Sequence, residues 1–267
     1  MRIGLKHVIA PIVLSVLVLM AAMTTDANAG SRPKPIEVNL GYLFNGTEGT
    51  FVAKNLRTDK VYVFNPTRSR ERFTPESSFK VTNALIGLEE KAVEDEYDVK
   101  RWDGIEREFE VWNRDHSLAS AMRHSAIWYY QIMARDIGSE RMQDYLDRFG
   151  YGNRDISGGI SNFWLNSSLK ISAIEQLDFL EKLVEEQLPV KEKTMKTVKR
   201  IMIDLEHDDY TIHGKTGTRL SDMGLGWYIG YVETNKETWI FAINIDGPGS
   251  KAKQIALNAL QDLRVME

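Results

Sequence analysis

Strand-like alternation is confined to the two ends of this sequence, and a long helical stretch separates them. Residues 36–65 hold the runs Gly49-Thr50-Phe51-Val52-Ala53 and Lys60-Val61-Tyr62-Val63-Phe64 around a turn at Asp59, which predicts a hairpin. From Thr74 to about His207 the apolar spacing is helical, over 76–90, 118–137, 139–149, 172–186 and 190–205. Strand patterns return at 210–213, 226–232 and 238–245, with the corner Asn235-Lys236-Glu237 joining the last two, and 250–264 reads as an amphipathic helix. Strands at both ends with helices between predict an α/β fold of the α+β type: one antiparallel sheet built from both chain ends, with an inserted helical lobe. Residues 30–65 and 206–267 would form the sheet lobe and 66–205 the helical lobe of a single domain. A substrate would bind in the cleft between them.

The first residues read as an address rather than as part of that fold. Arg2 and Lys6 precede an apolar run from Val8 to about Met23, and Ala27-Asn28-Ala29 fits a small-x-small cleavage site. The run is shorter than the roughly 20 residues of a comfortable membrane span, which favours a cleaved signal peptide over 1–29 against an uncleaved anchor. Cleavage leaves a secreted or periplasmic chain with no membrane attachment. The whole chain has a formal charge of −4, and residues 1–29 hold Arg2 and Lys6 against Asp26, so the remainder is more acidic still. An acidic chain lacks the basic face that nucleic acid or anionic lipid requires. There is no cysteine, hence no disulfide framework and no thiol for lipid attachment. His116, His124, His207 and His213 show no metal-helix spacing, which speaks against a zinc enzyme.

Three short segments carry the chemistry. Ser77-Ser78-Phe79-Lys80 follows Thr74-Pro75-Glu76, which has the composition of a helix start: a hydroxyl cap, a first-turn proline and an acid. Ser77 and Lys80 are three residues apart and share a helix face. At a helix start the Ser77 N–H lacks an intrahelical partner and can serve an oxyanion. The run Val81–Leu88 is apolar nearly all round, so the helix is expected to be buried. Burial would drive the Lys80 amine toward its neutral form, in which it can act as a base or react with carbon dioxide.

The Ser-x-x-Lys spacing alone is uninformative, because it also occurs at Ser31, Ser167 and Ser250. Ser125-Ala126-Ile127 supplies a second hydroxyl, read either as a proton relay or as an ordinary N-cap serine. Lys215-Thr216-Gly217 is unique in the chain and lies on a predicted strand. It offers a cation for a carboxylate and, at the Thr218 N–H, a second oxyanion donor; the plain alternative is a charged edge strand. A buried Trp164 would need an acceptor for its indole N–H, and a carbamate on Lys80 would be one.

These segments, met in this order with Tyr151-Gly152-Asn153, resemble the serine β-lactamase and penicillin-binding family, and within it the class D (oxacillinase-type) β-lactamases. The similarity is densest in 74–89 and recurs in Trp102-Asp103-Gly104, Trp112-Asn113-Arg114-Asp115-His116 and Phe163-Trp164-Leu165. A class A enzyme would show Ser-Asp-Asn in place of Ser125-Ala126-Ile127.

The resemblance implies hydrolysis of a small-molecule β-lactam with no metal and no organic cofactor, carbon dioxide or bicarbonate serving only to carboxylate Lys80 to N6-carboxylysine. It implies Ser77 as nucleophile, Ser77 and Thr218 N–H groups as oxyanion donors, and carboxylated Lys80, held by Trp164, as base. Ser125 would relay a proton while Lys215 and Thr216 hold the substrate carboxylate. Gly217 and Ile127 would line the site, Ile127 standing where the family usually has Val and Ser78 where Thr is common. The family's carboxylate-binding arginine is absent; Lys253 is its nearest match and Lys251 the fallback. No obligatory protein partner is implied. The competing functions are a β-lactam sensor or a cell-wall D,D-peptidase, which acylate and deacylate slowly, and a non-catalytic binding protein that keeps the fold.

Overall fold

The computed structural model describes Met1 and residues 34–266. Residues 2–29 of the expected signal segment, and with them its cleavage, lie outside the described residues. Strands β1 (Ile36–Glu37), β2 (Gly49–Asn55) and β3 (Val61–Phe64) come from the N-terminal part, with the short helix α1 (Gly41–Phe44) between the first two. The nucleophile segment follows as a 3₁₀ turn, Glu76–Phe79, running into α2 (Lys80–Glu89). A two-stranded ribbon, β4 (Val99–Lys100) with β5 (His116–Ser117), precedes helices α3 (Leu118–His124), α4 (Ile127–Ile137), α5 (Ser139–Phe149), α6 (Ala173–Val184) and α7 (Glu192–Ile201). Strands β6 (Ile203–Glu206), β7 (Tyr210–Thr218), β8 (Gly226–Thr234) and β9 (Thr238–Ile245) and helix α8 (Gly249–Asp262) close the chain.

The main sheet has the order β1-β3-β2-β9-β8-β7-β6, so β2 and β9 join the two chain ends at its centre. The fold class is as expected, with one correction: β1 pairs with β3 in parallel, Ile36 opposite Tyr62, so the sheet is mixed. Alternation along the strands splits the core. Val52, Ile229, Tyr231, Ile240 and Ala242 join the core shared with the helical segments, where α6 packs on β2, β8 and β9, whereas Phe51, Tyr228, Phe241 and Ile243 face α8 through Ile255, Ala256 and Ala259. The result is a helix–sheet–helix sandwich in which α2 is buried from Lys80 to Gly87.

Helix ends follow local chemistry. Ser172 accepts from the Glu175 N–H while the Glu175 carboxylate accepts from the Ser172 N–H, a reciprocal capping box that starts α6. Gly150, at φ +64°, closes α5 in the left-handed conformation. Three expected boundaries are corrected. The helix expected over 118–137 breaks at Ser125, whose φ of +55° ends α3 and lets α4 start at Ile127. The helix expected over 190–205 stops at Ile201, and residues 203–206 form edge strand β6 against β7. Thr74 does not cap: its hydroxyl donates to the Glu76 carboxylate at 2.6 Å, and the turn starts as 3₁₀ rather than α.

Candidate active site

Ser77 lies in the 3₁₀ turn with 8% of its surface exposed, and Lys80, fully buried, follows at the first position of α2. The tight turn brings the two side chains together: Lys80 Nζ stands 2.6 Å from Ser77 Oγ. Desolvation holds the Lys80 amine well below its ordinary range, the nearby Lys215 charge pushes it further down, and Glu76 pulls weakly the other way. A neutral amine has a lone pair to direct at the serine proton. The Ser78 hydroxyl turns away, donating to the Pro75 carbonyl at 2.6 Å while accepting from Gln176 Nε2 at 3.1 Å, so it stiffens the turn.

Lys215 reaches the same place from β7. It is 4% exposed and its Nζ donates to Ser125 Oγ at 3.0 Å and to the Thr216 carbonyl at 2.8 Å. Burial depresses it to about 7, partly offset by Asp204 and deepened by Lys253. The left-handed backbone at Ser125 is what carries that hydroxyl to Lys215, so the break between α3 and α4 is part of the site rather than a simple cap. Ile127, half-buried, opens α4 two residues later.

The pairing of β7 with β8 fixes which backbone groups are free. Arg219 N–H donates to Leu225 O at 2.8 Å, continuing the register in which Gly217 faces Trp227 and Lys215 faces Ile229. Hydrogen bonds alternate along an antiparallel strand, so the N–H groups of Thr216 and Thr218 point away from β8; Gly214 N–H, in the same phase, donates to Met202 O at 2.8 Å. The Thr218 N–H therefore opens onto the unpaired edge beyond β6. Gly217 allows the strand to press on the nucleophile turn. A Cβ there would lie 2.9 Å from Pro75 O, 3.1 Å from Ser78 N and 3.2 Å from Ser77 N. The Thr218 hydroxyl accepts from Gly249 N–H at 2.9 Å, which ties the strand end to α8.

Trp164 is fully buried, stacked on Phe79 with ring centroids 5.6 Å apart and edge-on to Phe163 at 5.0 Å. Its indole N–H has no hydrogen-bond partner. A buried donor without an acceptor is unfavourable, and this one packs beside the residue that precedes Lys80. A carboxylated Lys80 fits that environment chemically, because a neutral buried amine can take up carbon dioxide and the product presents acceptor oxygens.

Lys253 comes to the outer edge of the site. It lines a cavity of about 320 Å³ with Asp204, Gly214, Lys215 and Thr216. Its ammonium pairs with Asp204 at 2.7 Å, and the same carboxylate oxygen accepts from Tyr228 OH at 2.6 Å. Lys251 is not at the site: exposed, it donates to Thr47 Oγ1 at 2.6 Å. Among the described residues, no three His, Asp or Glu side chains come together in a group that could hold a metal ion.

Residues 49–262 match the family model described as penicillin binding protein transpeptidase domain. A probable β-lactamase, YbxI, of Bacillus subtilis is 57% identical over 225 residues, which cover 84% of this chain and 84% of that protein. The solved class D β-lactamase BAT-2 superimposes with a TM-score of 0.85 at 56% identity, over 86% of this chain and 97% of that one. This chain belongs to the class D β-lactamases. The β-lactamase OXA-48 of Klebsiella pneumoniae is 41% identical over 214 residues, 79% of this chain and 80% of that protein.

Two residues that the structure places beside this candidate site are absent from the sequence reading in any functional role. Asp204 falls inside a run that reads as helix, and only the strand β6 turns it toward Lys253. Glu76 reads as an ordinary first-turn acid. The available signal was that it is the one charged residue before Lys80 in a segment otherwise fit for burial.

Proposed function

We propose that this protein is a secreted serine β-lactamase that hydrolyses the amide of penicillin-type antibiotics through an acyl-enzyme on Ser77, with Lys80, N-carboxylated by carbon dioxide, as general base. The observation that carries the reading is the 2.6 Å approach of the buried Lys80 amine to Ser77 Oγ, beside an indole donor that lacks an acceptor. The carboxyl group on Lys80, formed from the neutral amine and carbon dioxide with loss of one proton, supplies an oxygen base within the pocket.

The chain's own residues account for the remaining work. Ser77 Oγ attacks the lactam carbonyl, and the N–H groups of Ser77 and Thr218 receive the negative charge that develops on its oxygen. As the carbon–nitrogen bond breaks, the Ser125 hydroxyl, bonded to Lys215, passes a proton to the leaving nitrogen. Water then attacks the Ser77 ester, releasing the ring-opened acid and restoring the serine. Lys215 and Thr216 hold the substrate carboxylate during both steps, with Lys253 adding charge at the rim. Gly217 and Ile127 line the site and keep its walls close. Secretion is supported by the charged-then-apolar start and the Ala27-Asn28-Ala29 cleavage pattern.

The test is the response to carbon dioxide. Activity falls at mildly acidic pH, because a protonated carbamate loses carbon dioxide, and added bicarbonate restores it on return to neutral pH. Turnover that is indifferent to bicarbonate after acid treatment refutes the role of a carboxylated Lys80.

A further inference from the structure

Glu76 is a buried carboxyl, 2% exposed, immediately before the nucleophile, and none of the steps above uses it. Its backbone is left-handed, with φ +51°, a conformation costly for a residue with a side chain. Strain of this kind persists only where surrounding contacts impose it. The contacts here are specific. The Glu76 N–H donates to the Trp164 carbonyl at 3.0 Å. Its side chain then folds back so that Oε1 accepts the Asn166 N–H at 2.9 Å, with the Thr74 hydroxyl on the same oxygen at 2.6 Å. Asn166 is itself left-handed, at φ +44°. One residue thus grips the loop at two points, the Trp164 carbonyl and the Asn166 N–H, on either side of Leu165. Thr74 is anchored in turn, its carbonyl accepting from Trp227 Nε1 of β8 at 2.9 Å.

We propose that Glu76 is a positioning residue that clamps the loop 164–166 onto the nucleophile turn, fixing Trp164 where its indole N–H can hold a carboxyl group on Lys80. This rests on the carboxylated-lysine reading above. Burial pushes the Glu76 carboxyl upward, opposed by the Thr74 hydroxyl, the Asn166 N–H and the charges of Arg219 and Lys80. A purely structural filler at this position would not need a buried acceptor oxygen that two donors share. The acceptor atom does the work: Gln keeps an oxygen at the same reach, whereas Asp is one methylene too short for Asn166.

The experiment is ¹³C NMR of the protein in ¹³C-bicarbonate, following the lysine carbamate signal as bicarbonate is titrated. E76A and E76D are expected to need roughly tenfold more bicarbonate for half-occupancy, the scale of one lost buried hydrogen bond, while E76Q stays near wild type. In a W164F background the further change E76A should have little additional effect, since the clamp acts through the indole. If E76A does not fold, E76D against E76Q carries the comparison. Wild-type bicarbonate dependence in E76D, or full additivity with W164F, overturns the clamp. Absence of any carbamate signal in the wild type instead overturns the underlying reading.

Discussion

Gly217→Ala is the sharpest test of how the sheet holds the nucleophile. The added Cβ would sit 2.9 Å from Pro75 O, with Ser78 N and Ser77 N at 3.1 and 3.2 Å. All three neighbours are backbone, so no side chain can swing clear. The Pro75 carbonyl is held in addition by the Ser78 N–H at 3.1 Å and the Ser78 hydroxyl at 2.6 Å, which makes the turn stiff. Reaching ordinary contact requires β7 and the turn to separate by about 0.5 Å, and overpacking of this kind costs about 1–3 kcal/mol. For a chain of this size that lowers Tm by roughly 2–10 °C. The same movement parts the Ser77 and Thr218 N–H groups. A misplacement of about 1 Å can cost on the order of 100-fold in rate, so half of that predicts roughly tenfold slower acylation. The assay is stopped-flow acylation by a chromogenic cephalosporin, with thermal unfolding in parallel. A variant with wild-type Tm and wild-type acylation would refute the close packing of strand on turn. A lower Tm with unchanged acylation would refute the oxyanion geometry.

Two further outcomes follow from the charges. Burial holds Lys215 at about 7 against 10.5 for the free side chain, so between those values the unfolded chain binds a proton that the folded chain does not. Stability therefore rises with pH across that window and the contribution is lost below about 7, with a slope of up to about 1.4 kcal/mol per pH unit; Lys215→Met should flatten the rise in urea titrations. Above neutrality the KM for penicillins should climb as Lys215 loses its charge, and a flat KM would count against its hold on the carboxylate. Lys253→Ala should raise KM several-fold with little change in kcat for a penicillin acid and leave a penicillin methyl ester unaffected, the scale being that of a partly exposed ion pair. Equal effects on acid and ester would remove Lys253 from carboxylate binding.

The fold was legible where one periodicity ran unbroken. The hairpin of β2 and β3, helix α5 and the pair β8 and β9 lie where alternation or helical spacing is clean. The misses are places where tertiary contacts override local pattern. Apolar spacing continues through Ser125 and Ala126; a capping serine there hints at a helix start, but not at the left-handed turn that delivers the hydroxyl to Lys215. Residues 203–206 read as helix because their neighbours do, yet the open edge of β7 captures them as a strand. The hydroxyl–proline–acid signature at 74–76 has the composition of a helix cap, but burial turns the Thr74 hydroxyl to the Glu76 carboxylate instead of the backbone. Of the site, Ser77, Lys80, Lys215 and the strand edge could be expected from residue type and spacing. The clamp at Glu76 and the pairing of Asp204 on β6 with Lys253 on α8 depend on segments far apart in sequence that only the fold brings together.

Hydrolysis by this route requires that Ser77 form an ester with a β-lactam and that the ester then be hydrolysed. Intact mass of the protein, followed over time after a few equivalents of benzylpenicillin, addresses both halves at once. The expected result is a transient gain of one penicillin mass, absent in Ser77→Ala, that disappears as penicilloate accumulates in full. An adduct that persists would contradict hydrolysis and mark a sensor or cell-wall enzyme, and no adduct at all would contradict the nucleophile.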